Sequence, residues 1–139
     1  MADVRTALLV EDDPTFRELI HYYLSDLGLE VVAVAEGRAA LTWLATQTPD
    51  LVCLDLMLPE TSGYEVCEQL KASARHRFTP VLMMSARGLP MDRAHAEEVG
   101  ADAYLVKPFT RAEFIATAQG LLSKNAETDP MLQRVKSSD

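Results

Sequence analysis

The chain has 139 residues and a formal charge of -8, with 48% apolar and 24% charged side chains. This balance suits one domain with a hydrophobic core, and an acidic excess without clustered Lys or Arg argues against a nucleic-acid surface. No apolar run approaches the ~18 residues of a membrane span, and the N-terminal apolar stretch is too short for a secretory segment.

Thr6 to Val10 is apolar without polar alternation, which predicts a strand covered on both faces. It stops at Glu11-Asp12-Asp13. Pro14 suits the first turn of a helix, where its missing N–H costs nothing, and Asp13 suits the N-cap before it. The helix is expected to reach Leu27, with Phe16, Leu19, Ile20, Tyr23, Leu24 and Leu27 as its apolar stripe. Gly28 stops it. A second strand covers Val31 to Ala35. A helix follows from Arg38 to Thr46, turning Ala40, Leu41 and Leu44 inward and leaving Trp43 partly buried.

Leu51 to Leu54 is the third strand, and Asp55 ends its apolar run. A carboxylate there is expensive unless it is paired or does chemistry. Ser62 and Glu65 have capping-box spacing for the next helix, which carries Val66, Cys67 and Leu70 inward. The fourth strand, Val81 to Met84, ends at Ser85-Ala86. Met91 to Val99 reads as a weak helix with few large apolar residues, where mobility is expected. Ala103 to Val106 is the fifth strand, followed by Lys107-Pro108. Thr110 and Glu113 form a second capping box ahead of Phe114, Ile115, Ala118, Leu121 and Leu122. Residues 1–122 are expected to form the domain, and Ser123 to Asp139 a disordered polar tail or linker. Cys53 and Cys67 match no metal or redox spacing and read as buried thiols in a reducing, cytoplasmic compartment.

Strands alternating with helices predict an α/β fold: a doubly wound, five-stranded parallel sheet with helices on both faces. Ligand sites of such folds lie beyond the carboxyl ends of the strands. Glu11, Asp12, Asp13, Asp55, Ser85 and Lys107 all fall there.

Converging carboxylates repel unless a cation is present, and an oxygen-only set suits Mg2+ or Mn2+. Asp13 and Asp55 are expected as direct ligands, Asp12 directly or through water, and the Met57 carbonyl as a further oxygen. Asp13 also fits a plain helix cap. Asp55 is then a candidate nucleophile toward a phosphoryl group, with Lys107 and the Ser85 hydroxyl to meet the charge on its oxygens.

The stretches LLVEDD (8–13), LDLMLPETSG (54–63), MSA (84–86) and GADAYLVKPF (100–109), in this order and spacing, closely resemble the receiver domain of two-component response regulators, as in the chemotaxis regulator. The resemblance implies a flavodoxin-like sheet of order 2-1-3-4-5. It implies Asp12 and Asp13 as the magnesium-binding acidic pair, Asp55 as phosphoacceptor, Ser85 and Lys107 as phosphate-binding groups, and Tyr104 as an aromatic switch. It further implies a cis bond before Pro108, and rate tuning by Met57 and Arg87. A sensor histidine kinase or histidine phosphotransfer protein is the implied phosphoryl donor. The face of the last two helices and the fifth strand is the implied output surface, toward an output protein or domain that the sequence does not name. Ser85 stands where threonine is commoner. Ala103 and a missing arginine in the last helix depart from the charges typical of winged-helix regulators.

An alternative is a phosphorylation-independent interaction module on the same fold. A phosphatase with an aspartate nucleophile is disfavoured, because Met57 stands where such enzymes carry a second aspartate, so no turnover of an outside substrate is expected.

Overall fold

Strands apolar on both faces need cover on both sides, and the chain supplies it by alternation. The computed structural model describes residues 4–127, with side chains as far as Ser123. Strands β1 (Thr6–Val10), β2 (Glu30–Val34), β3 (Leu51–Asp55), β4 (Val81–Ser85) and β5 (Ala103–Val106) alternate with helices α1 (Pro14–Asp26), α2 (Gly37–Leu44), α3 (Gly63–Ala72), α4 (Pro90–Glu98) and α5 (Arg111–Glu127). All strand pairs are parallel, in the order β2-β1-β3-β4-β5.

The period of two along each strand divides the core. Ala7, Leu9, Leu51, Cys53, Leu82 and Met84 face Ile20 and Leu24 of α1 and Phe114 and Ala118 of α5. Leu8, Val10, Val52, Leu54, Val81 and Met83 face α2, α3 and α4. Both cysteines are buried and free.

Several boundaries differ from the sequence reading for local reasons. β2 begins at Glu30, whose N–H donates to the Arg5 carbonyl at 2.8 Å. β3 takes in Asp55, and the ladder continues from Leu56 N–H to the Met84 carbonyl at 2.9 Å. The stripe of α1 is narrower than expected: Ile20 and Leu24 are buried, whereas Leu19 is 43% exposed. Thr110 and Glu113 cap α5 reciprocally, with bonds of 3.0 and 3.1 Å. That helix runs past Leu122 to Glu127; the rest of the expected tail lies outside the described residues.

The thin apolar face of α4 is supplemented by a polar clamp. Asp92 is buried; its Oδ2 accepts from Leu89 N–H at 3.2 Å and its Oδ1 pairs with Arg87 Nη2 at 3.0 Å. Tyr64 donates to the Asp92 carbonyl at 3.2 Å, and its ring stacks on His95 with centroids 3.8 Å apart. Among the described residues, no helix is long and apolar enough to cross a membrane.

Candidate functional site

The register of the central strands builds the site. Leu9 pairs with Cys53 and Val10 with Leu54, so the next step sets Glu11 beside Asp55. Glu11 prolongs the Ala7–Leu9 face and Asp55 the Leu51–Cys53 face, both toward α1 and α5. Lys107 follows Leu105 by two residues and emerges on that same face. Its Nζ lies 2.9 Å from Glu11 Oε1 and 3.1 Å from Asp55 Oδ2. The Lys107–Pro108 peptide is cis.

Glu11, Asp12 and Asp55 each offer a carboxylate oxygen, and these oxygens lie within 4.8 Å of one another. Asp13, expected among the ligands, is not one of these three acids. The Asp13 carboxylate is turned to cap α1, accepting from Thr15 N–H at 3.2 Å, and Glu11 supplies the third acid of the cluster. Glu11 is fully buried: its N–H extends the ladder to the Val34 carbonyl at 3.0 Å, and its Oε2 accepts from Asp13 N–H at 3.1 Å. The sequence carried a signal for it. Counting in twos from the buried run places Glu11 on the face of Asp55 at the first step beyond β1, whereas Asp13, two residues further on, already begins the turn into α1.

Asp55 is buried as well. Its Oδ1 accepts from Met57 N–H at 3.0 Å, while the Met57 side chain stands 56% exposed at the mouth of the site. Gly63 opens α3 beneath this loop and donates to the Leu56 carbonyl at 2.8 Å; a Cβ there would lie 2.5 Å from the Asp55 carbonyl oxygen.

Burial pushes the Glu11 carboxyl up to about 7 from the ordinary 4.5, against the opposing pull of its Lys107 bond. Burial works against the Lys107 ammonium too, but Glu11 and Asp55 more than offset it and its pKa is raised. Three acids against one ammonium leave negative charge for a divalent cation, and the donors are all oxygen. The residues therefore fit Mg2+ or Mn2+.

Ser85 and Tyr104 lie on the other face of the sheet, toward α4. Ser85 is fully buried, and its Oγ accepts from Arg87 N–H at 3.0 Å. Tyr104 donates its hydroxyl to the Arg87 carbonyl, and the Arg93 guanidinium of α4 lies 5.4 Å from the centre of its ring. Burial raises the Tyr104 pKa. Along the outer side of α1 runs a groove of about 530 Å³ lined by Asp13, Thr15, Phe16, Glu18, Leu19 and Tyr22.

Residues 7–119 match the response regulator receiver domain family. A probable transcriptional regulator, ycf27 of Cyanophora paradoxa, is 39% identical over 117 residues, which are 84% of this chain and 48% of that protein. The chain spans about half the length of the curated relatives it matches. The receiver domain of a signal transduction histidine kinase from Syntrophus aciditrophicus superposes with a TM-score of 0.82 at 31% identity, over 91% of this chain and 96% of that one. The receiver domain of the sensor histidine kinase PA1611 from Pseudomonas aeruginosa, solved with a magnesium ion coordinated in its active site cleft, superposes with a TM-score of 0.80 at 32% identity, covering 87% of this chain and 99% of that one. The chain belongs to the response regulator receiver domain family, whose members act as phosphorylation-dependent switches and do not turn over an external substrate.

Proposed function

We propose that Asp55 accepts a phosphoryl group and that the change it produces is passed to α4, β5 and α5 to control an output. The observation that carries this reading is the pairing of Asp55 Oδ2 with Lys107 Nζ at 3.1 Å inside a carboxylate cluster suited to Mg2+. The donor is a sensor histidine kinase or histidine phosphotransfer protein, in keeping with relatives that are regulators and kinase receiver domains. The groove on α1, with Leu19 and Tyr22 exposed beside the acidic loop, suits docking of that donor. The output lies in another domain or protein. The two buried free thiols suit a cytoplasmic location.

An Asp55 oxygen attacks phosphorus in line: the O–P bond forms, the N–P bond to the donor imidazole breaks, and its electron pair stays on that nitrogen. Glu11, Asp12 and Asp55 would hold the cation, with the Met57 carbonyl as a further oxygen, and a bound cation would supply positive charge to the phosphoryl oxygens. Lys107 transfers its hydrogen bond from Asp55 to the new phosphoryl group. The Ser85 hydroxyl, set one strand over, turns to donate to it as well. That movement breaks the Ser85–Arg87 contact and frees space for Tyr104, so the ring and the Arg87 loop shift together and bias α4. Met57 and Arg87, at the rim, set the lifetime of the acyl phosphate.

The test is intact mass after incubation with acetyl phosphate, with and without Mg2+, on the protein and on Asp55→Ala. A Mg2+-dependent gain of one phosphoryl group, absent in the variant, is expected. No gain under any condition returns the domain to a phosphorylation-independent interaction module.

A further inference from the structure

Lys107 has a neighbour that the switch reading leaves unused. Its Nζ lies 4.2 Å from the centroid of the Phe16 ring, well inside the ~6 Å over which a cation is drawn to an aromatic face. We propose that Phe16 is a positioning residue for Lys107, holding the ammonium between Glu11 and Asp55 by a cation–π contact. This inference rests on the phosphoryl-acceptor reading for its functional consequence, but not for the contact itself.

An ammonium has three N–H donors. Two are taken up by Glu11 and Asp55, and the ring is the further neighbour among the described residues. The Lys107 side chain is only 21% exposed, so little water competes for that third direction. The ring is itself held in place. Phe16 meets Phe109 edge to face, with centroids 5.6 Å apart and planes at 76°, and Phe109 stacks on the buried Phe114 at 5.9 Å. Phe109 belongs to the same loop as Lys107, so the ladder that orients the ring also anchors the backbone of the lysine. Phe16 in turn sits in the first turns of α1, directly after the acidic loop.

A ring suits this position better than a fourth carboxylate. It attracts the ammonium without adding formal negative charge to a site that must receive an anionic phosphoryl group. It also attracts over a broad face, so Nζ can move from Asp55 toward a phosphoryl oxygen without losing the contact.

The test replaces Phe16 with mono-, di- and trifluorophenylalanine, which keep its shape while draining charge from the ring face. Acyl phosphate formation from acetyl phosphate with Mg2+ is followed by intact mass. The logarithm of the rate is expected to fall stepwise with fluorination. Phe16→Leu is expected to lose about 2- to 30-fold, and Phe16→Trp to retain the rate. Independently of activity, the Lys107 ε-methylene protons should resonate upfield through the ring current and return to ordinary positions in Phe16→Leu. A rate that is flat across the fluorinated series, or Lys107 resonances unmoved by Phe16→Leu, overturns the assignment. If the unaltered protein takes up no phosphoryl group, the switch reading fails, and the resonances alone decide the role of Phe16.

Discussion

Glu11 and Asp55 share one ammonium, that of Lys107, at 2.9 and 3.1 Å, and both carboxylates are buried. Removing it strands two acids together. Lys107→Met is expected to lower stability at pH 7.5 by about 2–4 kcal/mol, read from urea unfolding. The same variant should lose response to phosphorylation at α4 even where Asp55 still takes up phosphate.

Glu11 gives the stability a pH slope of unusual sign for an acid. Its folded pKa, about 7, exceeds the ordinary 4.5, so the native state holds the extra proton between those values. Stability from this group therefore falls as pH rises from about 4.5 to about 7. Glu11→Gln should flatten that slope in denaturation curves taken across the window. Cation binding needs the deprotonated acid, so Mg2+ affinity should rise through pH 7 and release protons, measurable by calorimetry in buffers of different ionisation enthalpy.

Gly63→Ala tests how tightly α3 underlies the acceptor. The added Cβ would lie 2.5 Å from the Asp55 carbonyl oxygen and 2.8 Å from Leu56 Cα, both backbone atoms that cannot swing aside. A loss of about 1–3 kcal/mol is expected, together with slower phosphoryl uptake as the Asp55 loop is displaced. Unchanged thermal unfolding in this variant would contradict the close approach.

Asp92→Ala should loosen α4 alone. It removes the acceptor for Leu89 N–H and the partner of Arg87, leaving the helix to Ala96, its neighbour Val99 and the Tyr64 contacts to His95 and the residue 92 carbonyl. Amide exchange over Pro90–Glu98 is expected to quicken about tenfold, a local cost of about 1.4 kcal/mol, while β1 and β3 amides stay as protected as before.

Much of this was readable from the chain. Unbroken apolar runs ending in Asp55, Ser85 and Lys107 locate the strands and their chemical ends, because burial on both faces leaves no polar alternation. The Asp-Pro step marked the helix cap that Asp13 forms, but three acids in a row at one strand end look alike as cation ligands; strand register sets Glu11, the first of them, beside Asp55. The burial of Asp92 left no mark in the sequence, since its partners Arg87 and Tyr64 lie outside the helix. The Phe16–Lys107 contact joins α1 to the loop after β5 and has no sequence period at all.

The alternation of side chains along the strands also separates two kinds of traffic. Glu11, Asp55 and Lys107 stand on the α1–α5 side of the sheet, and Ser85 and Tyr104 on the side of α4. The acceptor and the switch pair are thus approached from opposite sides of the sheet. The sheet acts as a partition with one small window at its carboxyl edge, and whatever passes from Asp55 to Tyr104 has to cross there.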